Sequence, residues 1–292
     1  MIQLSELLLS GALDQEQSAL RLAARGDAAL CTIVGIEGSF SRRLGAQLAI
    51  ARDGQLAGSL SDGCLERELA VQAVAAHTEG KPRLLRYGRG SPFIDFRLPC
   101  GSGLDIVIDP APDATLLQRA VTVLDGRRSF DLRLPVEQPH LLERRVYLPA
   151  LRLVLLGAGP ELAWTAQLAR ALGIECEARS PDNGLMLDRV PQGLYVDAWT
   201  AVVLLFHDHE WERALLEWAL RGDAFHIGAV GGEKAREGRR VLLEAASFDP
   251  GRIARVRSPV GLIPHARDPR TLALSILAEI VGEYDRILEG AG

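Results

Sequence analysis

A continuous apolar strand that runs directly into a glycine turn constrains most strongly how this chain can fold. The strand covers residues 151–156, the turn is Gly157-Ala158-Gly159, and a helical pattern follows as far as Leu172. Strands this apolar are buried on both faces, which is typical of a parallel sheet covered by helices. A second strand, 174–178, carries Glu177 about twenty residues beyond the glycines, where dinucleotide-binding folds place the acid that binds a ribose.

This order of elements predicts a Rossmann-like domain in the second half of the chain. Apolar strands at 201–206 and 225–230 continue the pattern, with a helix between them at 210–221. Leu162 stands where the dinucleotide motif has its third glycine, which normally allows close packing of helix and strand. The fold is therefore predicted, but NAD(P) is expected to bind weakly or not at all. Gly157, Gly159 and Glu177 are the candidate residues for any such ligand.

Two histidines follow the strand 201–206, in the order His207-Asp208-His209. Such a pair can ligate a metal, but the neighbouring sequence offers no third ligand. We favour the alternative that His207 lines the crevice at the carboxyl ends of the parallel strands, where open α/β sheets bind ligands.

Two later helices are assigned no function from the sequence. The basic helix 234–240 is predicted to present its charges to solvent, and the closing helix 269–288 is predicted to be structural.

Three loops in the first half of the chain join small residues to a charged or thiol group. The pattern predicts helices at 4–25, 64–78 and 113–124 and strands at 28–34, 47–51, 83–87, 93–98 and 104–108, with the loops at strand ends. Small residues at three strand ends favour a backbone-lined pocket for a phosphorylated ligand, although tight connections alone would explain the glycines equally well. The loop residues concerned are Ser39, Arg42, Gly45, Gly58, Ser59, Ser61, Gly63, Cys64, Glu66, Cys100 and Gly101.

The four cysteines, at 31, 64, 100 and 176, form no C-x-x-C pair and no zinc-ribbon spacing. Cys64 opens an amphipathic helix, where free backbone N–H groups attract anions and lower the pKa of a thiol. Cys31 lies inside an apolar strand and is expected to be inert. The alternative for Cys64 is a small packing residue, which is common for a lone cysteine.

Length and charge limit the classes of protein to which this chain can belong. Its 292 residues suffice for two domains, and we place them at 1–146 and 147–292, both of α/β character. The net charge of −5 argues against nucleic acid as a partner, and no apolar run is long enough to span a bilayer. The first six residues lack a basic segment, so a cytoplasmic location is expected.

These motifs, taken in order, resemble the xanthine dehydrogenase accessory protein family of the XdhC/CoxI type over nearly the whole chain. The segments that carry the resemblance are 38–46, 58–66, 99–103, 157–159, 207–208, 227–228, 259–262 and 275–279. This chain departs from the family pattern at Ser41, which replaces a proline, at Asp62, which replaces a glycine, and at 231–233. Each motif is short, and their order makes the set specific.

The resemblance implies a chaperone for the molybdenum cofactor, without a catalytic residue of its own. Such a protein binds molybdopterin, in an unmodified or cytosine dinucleotide form, guards it during sulfuration by a cysteine desulfurase, and delivers it to a molybdenum hydroxylase apoenzyme. Cys64 and Cys100 would contact the molybdenum or an incoming sulfur, in one pocket facing the second domain, with Arg42 nearby and His207 across the cleft. Self-association into a homo-oligomer is left open.

Two further hypotheses come from different classes of protein. An NAD(P)-dependent oxidoreductase would use the Rossmann-like half for hydride transfer, but the chain lacks the third glycine and an evident proton relay. A non-catalytic interaction protein would use that half only as a scaffold. Fold alone does not separate these functions.

Overall fold

The computed structural model describes residues 15–61, 63–91 and 101–290, without the side chains of residues 15, 16 and 64. The chain divides into two compact units, of which the second is Ala150–Leu288 and the first is formed by the rest of the chain, and each is described by itself. The start of the predicted first helix, the predicted strand 93–98, Asp62 and Cys100 lie outside the described residues. No helix in the described ranges is long and apolar enough to cross a membrane.

The first unit is built on a five-stranded sheet in which every neighbouring pair is antiparallel. The strand order is β3-β2-β1-β5-β4, and a hairpin of β6 and β7 follows. The strands are β1 (Ala28–Glu37), β2 (Gln47–Ala51), β3 (Leu56–Gly58), β4 (Arg83–Gly88), β5 (Gly103–Asp109), β6 (Phe130–Arg133) and β7 (Arg144–Tyr147). The helices are α1 (Gln15–Ala23), α2 (Cys64–Glu79) and α3 (Ala114–Asp125).

Alternation of side chains along β1 builds a core on each face of this sheet. Leu30 and Val34 pack on one face against α1 and α3, while Cys31 and Ile33 pack on the other with the apolar side of α2. Because successive side chains of a strand point to opposite faces, a strand that is apolar at both sets of positions must be covered twice. Helix α2, which begins at Cys64, is thereby fixed against the sheet through Leu65 and Leu69.

The second unit contains the parallel sheet predicted from the sequence, covered by helices on both faces. Its strand order is β12-β11-β10-β8-β9, so the apolar strand β8 lies inside the sheet. The strands are β8 (Arg152–Gly157), β9 (Glu175–Arg179), β10 (Thr200–Leu205), β11 (His226–Ala229) and β12 (Val256–Arg257). The helices are α4 (Gly159–Ala171), α5 (Arg213–Arg221), α6 (Glu233–Ala245), α7 (Pro250–Ile253) and α8 (Pro269–Gly290).

The burial of this sheet confirms the predicted fold class. Helices α5 and α6 cover the face that carries Val154 and Leu204, and helices α4 and α8 cover the face that carries Leu155 and Val203. A parallel sheet with helices on both faces is the doubly wound arrangement, in which ligands bind beyond the carboxyl ends of the strands. In this unit that edge begins at Gly157.

Candidate functional site

Strand pairing brings the predicted loops of the first unit to one end of its sheet. Glu37 at the end of β1 pairs with Gly103 at the start of β5, and Gly103 also pairs with Gly88 at the end of β4. On the other side, Leu48 near the start of β2 pairs with Gly58 at the end of β3. The loop 38–46, the loop 59–63 and the segment 101–102 therefore leave the sheet at the same end, which we call the loop rim.

The carboxylate of Glu66 organises the loop that precedes α2. Its Oε1 accepts hydrogen bonds from the backbone N–H groups of Leu60, at 3.0 Å, and Ser61, at 2.6 Å. Its Oε2 accepts one from the N–H of Gly63, at 2.8 Å, and the hydroxyl of Ser59 lies 3.3 Å from Oε1. The backbone donors that the sequence offered to an external anion are therefore held by a carboxylate of the chain itself.

Charge accounts for the strength of this arrangement. Burial raises the pKa of the Glu66 carboxyl, but hydrogen bonds from the backbone N–H groups of Glu66 itself, Ser61, Gly63 and Leu60 outweigh burial and hold that pKa below its ordinary value. Hydrogen bonds to an ionised acceptor are about twice as strong as neutral ones. Glu66 acts on the site by shaping the loop, and its predicted role in direct cofactor binding stays a prediction.

Arg42 connects two of the loops at the rim. Its Nη2 donates to the hydroxyl of Ser59 at 3.2 Å, which joins the loop 38–46 to the loop 59–63. Its Nε is shielded from solvent and has no hydrogen-bond partner among the described residues. Its Nη1 lies 3.5 Å from the backbone carbonyl oxygen of Ser41, so a phosphate or carboxylate would reach this guanidinium only by displacing one of these contacts.

The segment 101–102 joins the loop 38–46 through two serines. The hydroxyl of Ser102, which is 2% exposed, donates to the backbone carbonyl of Ser39. Gly101 precedes it with a positive φ of 68°. Ser39 is thus engaged through its backbone. Cys100, the predicted thiol next to Gly101, lies outside the described residues.

Two of the predicted glycines are required by the structure of the rim. At Gly58, φ is 83° and an added Cβ would lie 2.2 Å from the carbonyl oxygen of Gln47. At Gly45, φ is 81° and an added Cβ would lie 2.8 Å from Cδ of Arg145. Any side chain at either position would displace the neighbouring strand or Arg145, so both glycines have a structural role there.

The thiols of Cys31 and Cys176 are unreactive, whereas Cys64 lies at the start of a helix. Burial raises the pKa of Cys31 to about 12 and that of Cys176 to about 11, so both stay protonated at neutral pH. Cys64 is the first residue of α2, and the reactive role expected of its thiol stays a prediction.

In the second unit, a carboxylate lies where a dinucleotide fold binds phosphate. Glu161 is in the first turn of α4, and an added Cβ on Gly159 would lie 3.3 Å from its Oε2. That oxygen is buried and has no partner among the described residues, while Oε1 lies 3.6 Å from Nε2 of the exposed His207. A carboxylate beside the helix N-terminus competes with a pyrophosphate for the same donors and repels it.

The predicted ribose-binding acid has partners on both of its oxygens. Glu177 Oε2 accepts from Arg152 Nη2 at 2.8 Å, and Oε1 accepts from Arg179 Nη2 at 2.7 Å. A ribose would have to displace one of these charged donors, each of which forms a strong hydrogen bond.

The sequence analysis missed the two arginines that bind Glu177, and it missed the role of Glu161. In the first unit, the spacing of Gly63 and Glu66 could have indicated the hydrogen bonds of Glu66. An acid in the third position of a helix often accepts hydrogen bonds from the backbone of the preceding loop.

Comparisons with known proteins match both units of the chain. Residues 21–88 match the XdhC and CoxI family, and residues 153–280 match the XdhC Rossmann domain. A molybdenum cofactor insertion chaperone, PaoD of Escherichia coli strain K12, is 32% identical over 288 residues, which is 91% of this chain and 88% of that protein.

More distant similarities cover the same length. A probable xanthine dehydrogenase subunit from Bacillus subtilis strain 168 is 23% identical over 319 residues, covering 89% of this chain and 94% of that protein. A crystal structure of a xanthine dehydrogenase from Bacillus halodurans has a TM-score of 0.67 at 20% identity, covering 92% of this chain and 96% of that one. At this identity the structural likeness shows the fold.

The role of Glu66 in the loop predicts a pH-dependent loss of stability in Glu66→Gln. At neutral pH the substitution should lower the free energy of unfolding by about 1–3 kcal/mol, because buried N–H donors lose a charged acceptor. The folded pKa lies below the unfolded value of about 4.3, so this stabilisation is present above that pH and is lost as the pH falls. Urea unfolding should show the gap between wild type and variant shrinking towards pH 3.

Glu79→Gln is the matched control for this measurement, because Glu79 lies on the same helix with 43% of its side chain exposed. An exposed ion pair of this kind contributes little, so the control should behave as wild type at every pH. A gap between wild type and Glu66→Gln that stays constant from pH 7 to pH 3 would contradict the role assigned to the Glu66 carboxylate.

The residues that line the crevice of the second unit predict that NAD(P) binds with a dissociation constant above the micromolar range. Glu161 repels the pyrophosphate, and Pro160 lacks a backbone donor near its position. Calorimetric titration of the wild-type chain checks this, and Glu161→Ala should bind the dinucleotide measurably more tightly. Micromolar or tighter binding by the wild type would contradict the prediction and favour the oxidoreductase hypothesis.

Proposed function

Because this chain belongs to the XdhC and CoxI family, we propose that it binds the molybdenum cofactor and inserts it into a molybdenum hydroxylase. Its similarity to a molybdenum cofactor insertion chaperone over most of both chains supports a role in the maturation of such an enzyme. In this proposal residues 1–146 hold the cofactor, and residues 147–292 serve as a scaffold that binds the client or a further part of the cofactor.

Arg42 carries the proposal most directly. It is a partly buried guanidinium at the loop rim, tied to Ser59 and left with a free Nε. Since Glu66 holds the backbone donors of the loop 59–63, Arg42 is the cationic group of the rim to which we assign the phosphate, which would displace the Ser59 hydroxyl. A guanidinium binds a phosphate through charge-assisted hydrogen bonds, and in this proposal the phosphate of molybdopterin takes that place, with a cytosine dinucleotide form extending beyond it.

The thiols supply the second part of the proposed site. Molybdenum bound by sulfur is a soft centre that suits a thiolate ligand, and Cys64 opens α2 at the rim where the loops meet. Cys100 directly precedes the segment 101–102. In the proposed role these thiols would contact the molybdenum or hold the sulfur that a cysteine desulfurase supplies.

Arg42→Ala should reduce the pterin retained by the chain about tenfold or more, because a charge-assisted hydrogen bond contributes about 1.5–3 kcal/mol. Arg42→Lys should retain an intermediate amount, since a lysine offers the charge without the planar pair of donors. Pterin bound after equilibration with cofactor-loaded extract and gel filtration is the measurement.

Arg52→Ala is the control for Arg42→Ala, because Arg52 is exposed and follows β2 at the opposite end of the sheet. The control should retain as much pterin as the wild type. Equal retention by Arg42→Ala and Arg52→Ala would remove Arg42 from the proposed phosphate site.

Cys64→Ser should lower the retained pterin or its sulfurated fraction, and with it the activity of a reconstituted molybdenum hydroxylase. Cys31→Ser changes a buried thiol in strand β1 of the same unit and should alter only the stability of the fold. Reconstitution of the apoenzyme with each variant measures both effects. Equal loading and equal activation by wild type and Cys64→Ser would leave Cys64 as a packing residue.

A further inference from the structure

Three sequence motifs of the second unit that the proposed function does not use meet around one buried histidine. Gly228, in the motif 227–228, lies against Val260, since an added Cβ would be 2.6 Å from Val260 Cγ2 and 3.0 Å from His226 Nε2. Gly261 donates its backbone N–H to the carboxylate of Glu279 on α8. The motifs 227–228, 259–262 and 275–279 are therefore joined at the first residue of β11.

His226 and two glutamates of α8 form a cluster of metal-ligating side chains at this place. A ring nitrogen of His226 and one carboxylate oxygen each from Glu279 and Glu283 all lie within 4.8 Å of one another. Glu279 and Glu283 are four residues apart, so they project from the same face of the helix. Within the described ranges, this is the cluster of three such donors that the structure brings together.

The surroundings of the cluster are those of a built site. The His226 side chain is fully buried, with Nδ1 2.8 Å from Glu283 Oε2, while Glu283 is 15% exposed. The other ring nitrogen, Nε2, has no partner among the described residues. Arg257 Nη2 lies 3.1 Å from Glu283 Oε1 and fixes that carboxylate from the neighbouring strand. Two carboxylates against one arginine leave an excess of negative charge at a partly open position.

We propose that His226, Glu279 and Glu283 bind a divalent transition-metal ion, with Zn²⁺ as the first candidate. One imidazole nitrogen and two carboxylate oxygens are a donor set that Zn²⁺ accepts, with solvent in the fourth position. A tetrahedral Zn²⁺ with bonds of about 2.1 Å holds its ligand atoms about 3.4 Å apart. Glutamate side chains are long enough to close the remaining separation by rotation.

The place of the cluster separates it from the crevice of the same sheet. His226 begins β11 and pairs with Ala201 near the start of β10, whereas Gly157 pairs with Leu205 at the end of β10. The metal would therefore lie towards the amino ends of the strands and join α8 to β11. Its role would be to hold this helix on the sheet, independently of any pterin in the first unit.

Equilibrium dialysis of the chelator-treated full chain against Zn²⁺ tests the proposal. The wild type and Cys64→Ser/Cys100→Ser should each bind one Zn²⁺ at this site. The double variant Glu279→Gln/Glu283→Gln should bind Zn²⁺ with an affinity lower by a factor of about a hundred or more. The loss of residues outside the ligand shell already lowers the affinity for a metal about 10–100-fold. Glutamine keeps an acceptor for the N–H of Gly261, which limits disturbance of the fold.

His265→Gln is the matched control, because His265 is an exposed histidine of the same unit and should not affect binding. Co²⁺ provides a second readout, since ligation by cysteine gives a strong thiolate-to-metal absorption that this site should not show. Zn²⁺ should also raise the thermal unfolding midpoint of the wild type, whatever the stability of the variants. Unchanged binding by the double glutamine variant, loss of all binding in the cysteine variant, or an unchanged midpoint would overturn the proposal. None of these outcomes depends on pterin binding.

Discussion

The hydrogen bonds from the loop 59–63 to the Glu66 carboxylate are the interaction on which the loop rim depends. Leu60 anchors this loop in the core, but its other residues are small or polar, so the rest of its shape depends on its backbone polar groups. Glu66 gives three of those N–H groups one ionised acceptor, and helix α2 fixes Glu66 itself by packing Leu65 and Leu69 into the core. The start of α2 is thereby tied to Ser59, the residue to which Arg42 donates.

The two glycine turns of this chain have a common property. From the sequence, each looks like a site for an external anion at the start of a helix, and in the structure each holds a carboxylate of the chain. Glu66 is fully engaged by its loop, whereas Glu161 keeps one buried oxygen without a partner among the described residues. Arg42 is consequently the group of the loop rim to which we assign anion binding, and the second unit is unfavourable for a dinucleotide.

Sequence patterns sufficed for the fold because its strands and helices have strong and different periodicities. The apolar run 151–156 could only be an internal strand of a covered sheet, and the glycine turn after it fixed the start of α4. The meeting of the loops could be expected from strand ends alone. The partner of Glu177 on the neighbouring strand could not be predicted, because its pairing with Arg152 depends on how β8 and β9 align. His226 and Glu279 were equally hidden, since they lie more than fifty residues apart.

A direct measurement of cofactor binding tests the proposed function most sharply. The full chain, purified without oxygen from cells that synthesise the molybdenum cofactor and then oxidised, should release a fluorescent pterin in an amount approaching one per chain. Arg52→Ala should release the same amount, and Arg42→Ala much less. A wild-type chain that releases no pterin under these conditions, yet still activates a molybdenum hydroxylase, would contradict a function based on binding the cofactor.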